Sequence, residues 1–141
     1  MLPLTLRQAN TIIDAALAAA RERNLQAMAV VVLDELGHVR AVQREDGASV
    51  SRVDIAKGKA WAAVTMGAAS RSLGERAKSN PNFFVSLAAT AHGQFLPQTG
   101  AVLVIGPGNE VIGAVGASGG TGDEDEGICI AGIAAAGLRH A

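Results

Sequence analysis

The chain of 141 residues has the length of one domain, and with 49% apolar residues it can build a self-supporting core. Charged residues make up only 18%, against a usual figure of about 25%, and the net charge is −1, which excludes the basic surface of a general nucleic-acid or acidic-membrane binder. One cysteine, Cys129, excludes an internal disulfide and any cysteine-rich metal site, and no apolar run approaches the roughly 18–20 residues that span a bilayer.

In chain order, Met1–Arg7 lacks a basic start followed by an apolar core, so no signal peptide is expected and a cytoplasmic location follows. Thr5-Leu6-Arg7-Gln8 is a capping box, in which the threonine hydroxyl accepts from a free helix N–H and the glutamine reaches back. Leu6, Ala9, Ile13, Ala16, Leu17 and Ala20 follow at helical spacing and predict an amphipathic helix to about Asn24. Ala27–Asp34 is a continuous β-branched-rich run, the pattern of a strand covered on both faces. After the turn Glu35–His38, Val39–Glu45 returns as the second strand of a hairpin. Asp46–Ser49 is the exit loop, a second helix starts at Ser51 or Arg52 and runs to about Met66, and Ser70–Lys78 reads as a third.

Pro81 and Pro97 limit regular structure across Asn80–Gly100, where a short helix is expected around Phe83–Ala89. Ala101–Ile105 and Glu110–Ser118 are strands of a second hairpin joined by Gly106–Asn109. The glycine-rich loop Ser118–Gly122 leads into a final helix to about Leu138, opened by a second capping box at Thr121–Glu124. Asp123, Glu124, Asp125 and Glu126 fill its first turn, as the positive end of a helix dipole favours. Hairpins on either side of helices imply an antiparallel sheet in an α+β layer fold. With 17 glycines and only 3% aromatic residues the core has few large anchors, and together with the low charge this favours a homo-oligomer.

Helical periodicity exposes Lys59 as a misfit. It falls on the apolar stripe of the second helix, one turn from Ile55 and Ala63, whereas Trp61 falls on the opposite face beside Asp54 and Lys57. Lys59 either snorkels to solvent, points into a pocket for an acidic ligand, or forms half of a buried ion pair with a carboxylate from another element. Trp61 reads as an anchor in a subunit contact. The loop around Ser118, Gly119 and Gly120 has neither dinucleotide nor P-loop spacing; it is a close-packing loop or one that holds a carboxylate through Ser118 and its amides. His38 falls in a hairpin turn, His140 on a frayed terminus, and His92 in the illegible segment, where it is the one weak candidate for a metal ligand. Cys129 reads as a small buried hydrophobe.

Arg44-Glu45-Asp46-Gly47-Ala48, followed by Ser51, Asp54-Ile55-Ala56 and Lys59-Ala60, resembles the signature of the GlcG/HbpS family. Thr5-Leu6, Val32-Leu33-Asp34 with Gly37-His38, and Gly113–Gly120 before Asp125-Glu126 extend the likeness over nearly the whole chain. The family includes haem-binding HbpS-type proteins and the C-terminal domain of PduO-type adenosyltransferases. The resemblance implies a profilin-like five-stranded antiparallel sheet flanked by helices, with the fifth strand near Gln94–Pro97, and higher homo-oligomers.

Two functions follow as expectations. One is an oligomeric module that binds haem or a related tetrapyrrole, with Lys59 and Arg44 on its propionates and His38, His92 or Cys129 as possible axial ligands. The other is an enzyme acting on an organic acid (a lyase, isomerase or hydrolase of a catabolic pathway). Arg44 and Lys59 would then grip the carboxylate, with Asp46, Asp54 or Glu124 as proton shuttle. A purely accessory oligomer ranks third. The candidate ligand-binding set is Arg44, Asp46, Asp54, Lys59, Ser118, Gly119 and Gly120, for a small acidic ligand.

Overall fold

A computed structural model describes residues 2–141. Helix α1 (Leu6–Glu22) begins at the expected capping box: the Gln8 amide donates to Thr5 Oγ1 at 3.0 Å and the Thr5 amide to Gln8 Oε1 at 2.9 Å. Strands β1 (Ala29–Asp34) and β2 (Val39–Arg44) form the first hairpin, and helices α2 (Ser51–Met66) and α3 (Ser70–Ser79) follow. A full helix, α4 (Pro81–Thr90), replaces the short piece expected there, because Pro81 occupies its first turn, where a missing N–H breaks no helical bond. Strands β3 (Ala101–Ile105) and β4 (Val111–Ser118), helix α5 (Gly122–Ala135) and the short strand β5 (Arg139–His140) complete the chain.

The five strands form one open antiparallel sheet in the order β2-β1-β4-β3-β5. Alternation along the strands divides the core. Val30, Val32, Val102, Val104, Val115 and Ala117 pack against Ile12, Ile13, Ile128 and Ile133 of α1 and α5. Val31, Leu33, Ala101, Leu103 and Ala114 meet Ala56, Ala60 and Ala63 of α2 on the other face.

The fifth strand is not where the resemblance placed it. Gln94–Pro97 is irregular: the Leu96 amide donates to the Gly58 carbonyl at 3.2 Å, and buried Phe95 packs between Trp61 and Phe84. That segment therefore belongs to α2 rather than to a sheet edge. The strand comes instead from the C-terminal residues. Gly137, at φ 74°, ends α5 sooner than the expected Leu138, with the Leu138 amide donating to Ile133 O at 3.2 Å and the Gly137 amide to Ala134 O at 3.0 Å. The reversed chain lays Arg139 against Ile105 and His140 against Val104, so His140 is a ladder residue rather than a frayed end.

Trp61 also departs from expectation. Helices α3 and α4 fold back over the outer face of α2, and Ala62, Leu73, Phe84, Ala91 and Phe95 form a third cluster there. Trp61 is half-buried against it, edge-on to Phe95 with ring centroids 6.4 Å apart. A helix covered on both sides has no single apolar stripe, so the polar face read from its periodicity is not a free surface. Phe95→Ala should accordingly lower unfolding free energy by about 3–5 kcal/mol in denaturant titration. A loss below about 0.5 kcal/mol, the range for exposed side chains, would contradict the placement of this segment.

Candidate functional site

Where β4 gives way to α5, the loop backbone runs close to the segment entering β1. A Cβ on Gly119 would lie 2.3 Å from the Ala27 carbonyl oxygen, so only glycine permits this path. The loop brings Asp125 to the middle of α2, at Lys59. Asp125 Oδ2 accepts from Lys59 Nζ at 3.0 Å, its Oδ1 accepts from the Gly120 amide at 2.9 Å, and Lys59 Nζ also donates to Ala117 O at 3.1 Å. The two side chains are 7% and 2% exposed. Of the three expectations for Lys59, the structure shows the buried ion pair, and the same side chain forms part of a cleft wall.

The four acids of the last helix divide among three tasks, because successive helical residues turn by about 100°. Glu124 closes the capping box on the Thr121 amide, Asp125 turns inward, and Asp123 and Glu126 both receive Arg71 from α3. Those carboxylates hold the Arg71 guanidinium above its already high ordinary pKa, hydrogen bonding to Glu126 first and Asp123 second.

Above the ion pair opens a cleft of about 400 Å³ that includes Arg52, Ile55, Lys59, Gln98, Thr99, Ser118 and Gly120. Arg52 Nη1 donates to Ser118 Oγ at 3.3 Å, and among the described residues no carboxylate lies within ion-pairing distance of it. The cation available to a ligand is therefore Arg52, which sequence reasoning passed over. Its signal was present: Arg52, Ile55 and Lys59 stand at i, i+3 and i+7 and share one helical face. Asp125 was also missed, since a run of four acids does not show which one turns inward.

The remaining sequence candidates separate. Ser118 and Gly120 line the Arg52 cleft, and Gly119 supports its wall. Arg44 and Asp46 line a different cavity of about 410 Å³ with Arg21 and Glu45, where Arg44 Nη1 donates to Ala48 O at 2.6 Å. Asp54 is exposed on α2 and lines neither. His38 and His92 are exposed and also stand outside both cavities; His92 sits just past α4 at φ 55°. Cys129 is fully buried, its thiol donates to Gly100 O at 3.6 Å, and burial pushes it far above the ordinary thiol range, so it is a core group with no access to an axial position.

A family model described as "Haem degrading protein HbpS-like" matches residues 4–134. No curated protein sequence matches the chain. The Klebsiella pneumoniae protein ORFY is similar at 28% identity, with 97% of this chain and 93% of that one covered and a TM-score of 0.87. Streptomyces reticuli HbpS, solved as a double mutant, is 29% identical over 95% of this chain and 87% of its own, with a TM-score of 0.82. The PduOC:heme complex shares the fold at 23% identity, covering 97% of both chains with a TM-score of 0.86.

Removing one member of the buried pair leaves the other uncompensated, so Lys59→Met should cost about 3–5 kcal/mol of unfolding free energy. The double variant Lys59→Met/Asp125→Leu should recover most of that loss. A single variant as stable as wild type in denaturant titration would mean that Lys59 reaches solvent instead.

Proposed function

The chain belongs to the HbpS-like family, and from that premise we propose that it is a homo-oligomeric small-molecule-binding domain for haem or a related tetrapyrrole. The family description and the haem named with one fold neighbour support the ligand class. The observation that carries binding at this site is Arg52, a guanidinium at a polar cleft whose only side-chain partner among the described residues is the neutral Ser118 hydroxyl. A carboxylate is the group such a fork receives best. Ser118 and Gly120 complete the set, and Lys59 holds the wall through Asp125 rather than gripping the ligand itself.

A metal tetrapyrrole asks for cations at its carboxylates, an apolar wall for the ring and a nitrogen or sulfur ligand for the metal. The cleft meets the first need, and its lining contains no histidine, cysteine or methionine for the last. Arg44, bonded to its own loop in the other cavity, makes a separate polar patch with Asp46. This polarity favours a second reading, an enzyme acting on a small organic acid. Arg52 would hold the carboxylate, and the Lys59–Asp125 pair in the same wall would provide the proton donor and acceptor.

Self-association is supported at the β2 edge rather than at Trp61. Val39 and Val42 are 47% and 38% exposed on a strand with one unpaired edge, with Leu36 and Val50 at 70% and 77% on the segments flanking it. Exposed apolar side chains on an open edge invite a second copy. Among the described residues no helix is long and apolar enough to cross a membrane, and the reading places the chain in the cytoplasm.

Titration of the wild type with ferric haem should give a saturable Soret change, and its absence would overturn the tetrapyrrole reading. Arg52→Gln should weaken binding of small carboxylates by about 1.5–3 kcal/mol in calorimetry, and an unchanged affinity would move the carboxylate site out of the cleft. In light scattering the wild type should exceed the monomer mass, and Val39→Lys/Val42→Lys should bring it down. A monomeric wild type would refute the oligomer.

A further inference from the structure

Between α4 and β3 the chain runs as an irregular strap, Leu96–Gly100, which brings Gln98 and Thr99 to the wall of the Arg52 cleft. We propose that Gln98 and Thr99 set the specificity of this cleft, and that its ligand is a short hydroxy acid with a single carboxylate. Arg52 holds the carboxylate and the strap reads the hydroxyl. The inference rests on the reading of Arg52 as a carboxylate holder and deepens the organic-acid alternative by naming what the rest of that acid carries.

The strap has no regular structure, yet the fold clamps it at both ends. At its start the Leu96 amide donates to Gly58 O at 3.2 Å. Just beyond its end the buried Ser70 hydroxyl accepts from the Ala101 amide at 2.9 Å and donates to the Ala101 carbonyl at 3.2 Å. Two helical glycines make room for it. A Cβ on Gly58 would stand 3.0 Å from Leu96 Cβ and one on Gly122 2.8 Å from Thr99 Cβ, inside the roughly 3.5–4.0 Å at which carbons pack. A wall fixed in this way loses little freedom when a ligand docks. Thr99 is half-buried and Gln98 exposed, and neither side chain takes part in the hydrogen bonds that the described cleft residues make among themselves.

Charge defines the rest of the ligand. The ionic side chains of the cleft lining are Arg52, Lys59, Asp123 and Asp125. Lys59 and Asp125 neutralise each other, with both Asp125 oxygens bonded, and Asp123 is held by Arg71. Arg52 alone has no ion-pair partner among the described residues, so one anionic group is matched and a second carboxylate would meet no cation. An ammonium fares no better, since each lining carboxylate already has its cation. The remainder of the ligand is therefore neutral. A hydroxyl both gives and takes a hydrogen bond, as do the Gln98 carboxamide and the Thr99 hydroxyl, and Ile55 offers the carbon chain an apolar contact. The strap also borders a cavity of about 320 Å³ toward α3, where Arg71 and Lys78 are spent on ion pairs and leave no cation for an acid.

The test is calorimetric titration of the full chain with butyrate, its three hydroxy derivatives, succinate and 4-aminobutyrate. At least one hydroxybutyrate should bind on the order of tenfold more tightly than butyrate, the worth of one hydrogen bond, while succinate and 4-aminobutyrate should bind no better than butyrate. Gln98→Leu/Thr99→Val keeps the shape of the wall and removes its hydrogen bonding. That variant should lose the preference for the hydroxy acid and keep the wild-type affinity for butyrate, a separation that a purely structural role for the strap would not produce. If the double variant melts early, the ratio of the two affinities in Thr99→Val alone decides. Equal binding of butyrate and every hydroxybutyrate by the wild type, or a preference that survives the substitutions, would overturn the strap assignment and leave Arg52 as the carboxylate holder. Tighter binding of succinate or 4-aminobutyrate would overturn the hydroxy-acid class. A wild type that binds none of these acids would overturn the inference together with the carboxylate reading on which it rests.

Discussion

One buried ammonium and one buried carboxylate organise this molecule. Lys59 and Asp125 come from helices on opposite faces of the sheet, and each is nearly removed from water. Two such charges are tolerated only when their remaining hydrogen-bonding capacity is met, and here the Ala117 carbonyl and the Gly120 amide meet it. The pair therefore pins α2, the end of β4 and the start of α5 to a common point. The polar cleft is the space left above that point, and its shape depends on the pair even though its available charge is that of Arg52.

The second constraint is the position of α2, which is covered by the sheet on one side and by α3 and α4 on the other. Small residues make this possible. Ala56, Ala60 and Ala63 let the helix lie close to the sheet, while Trp61, Phe84 and Phe95 fill the opposite side. A chain with so few aromatic residues has placed most of them in one cluster, which fixes the α3–α4 excursion. Arg71, held by Asp123 and Glu126, joins α3 to α5.

Much of this was legible along the chain. Both capping boxes mark the helix starts that the structure shows, since a cap is a local bargain between residues three apart. The two hairpins follow from alternating or continuous apolar runs bounded by turns, and the family signature carried the sheet type. The site was half legible. Ser118, Gly120 and Lys59 converge, because the misfit on a helical stripe and the glycine-rich junction are both local signals. Arg44 and Asp46 share the signature motif yet face another cavity, since neighbours in a motif need not share a pocket.

The amino-acid sequence by itself determined the α+β class, the order and approximate bounds of nearly every element, the family, and the oddity of Lys59. Tertiary structure alone decided which of four consecutive acids meets that lysine, which cation remains for a ligand, and which segment supplies the fifth strand. Each of these depends on residues far apart in the chain: Lys59 and Asp125 in the ion pair, and Val104 and His140 in the ladder. Local patterns set the direction in which a side chain leaves its own helix or strand. They carry no information about what the rest of the chain, once folded, has placed in its path.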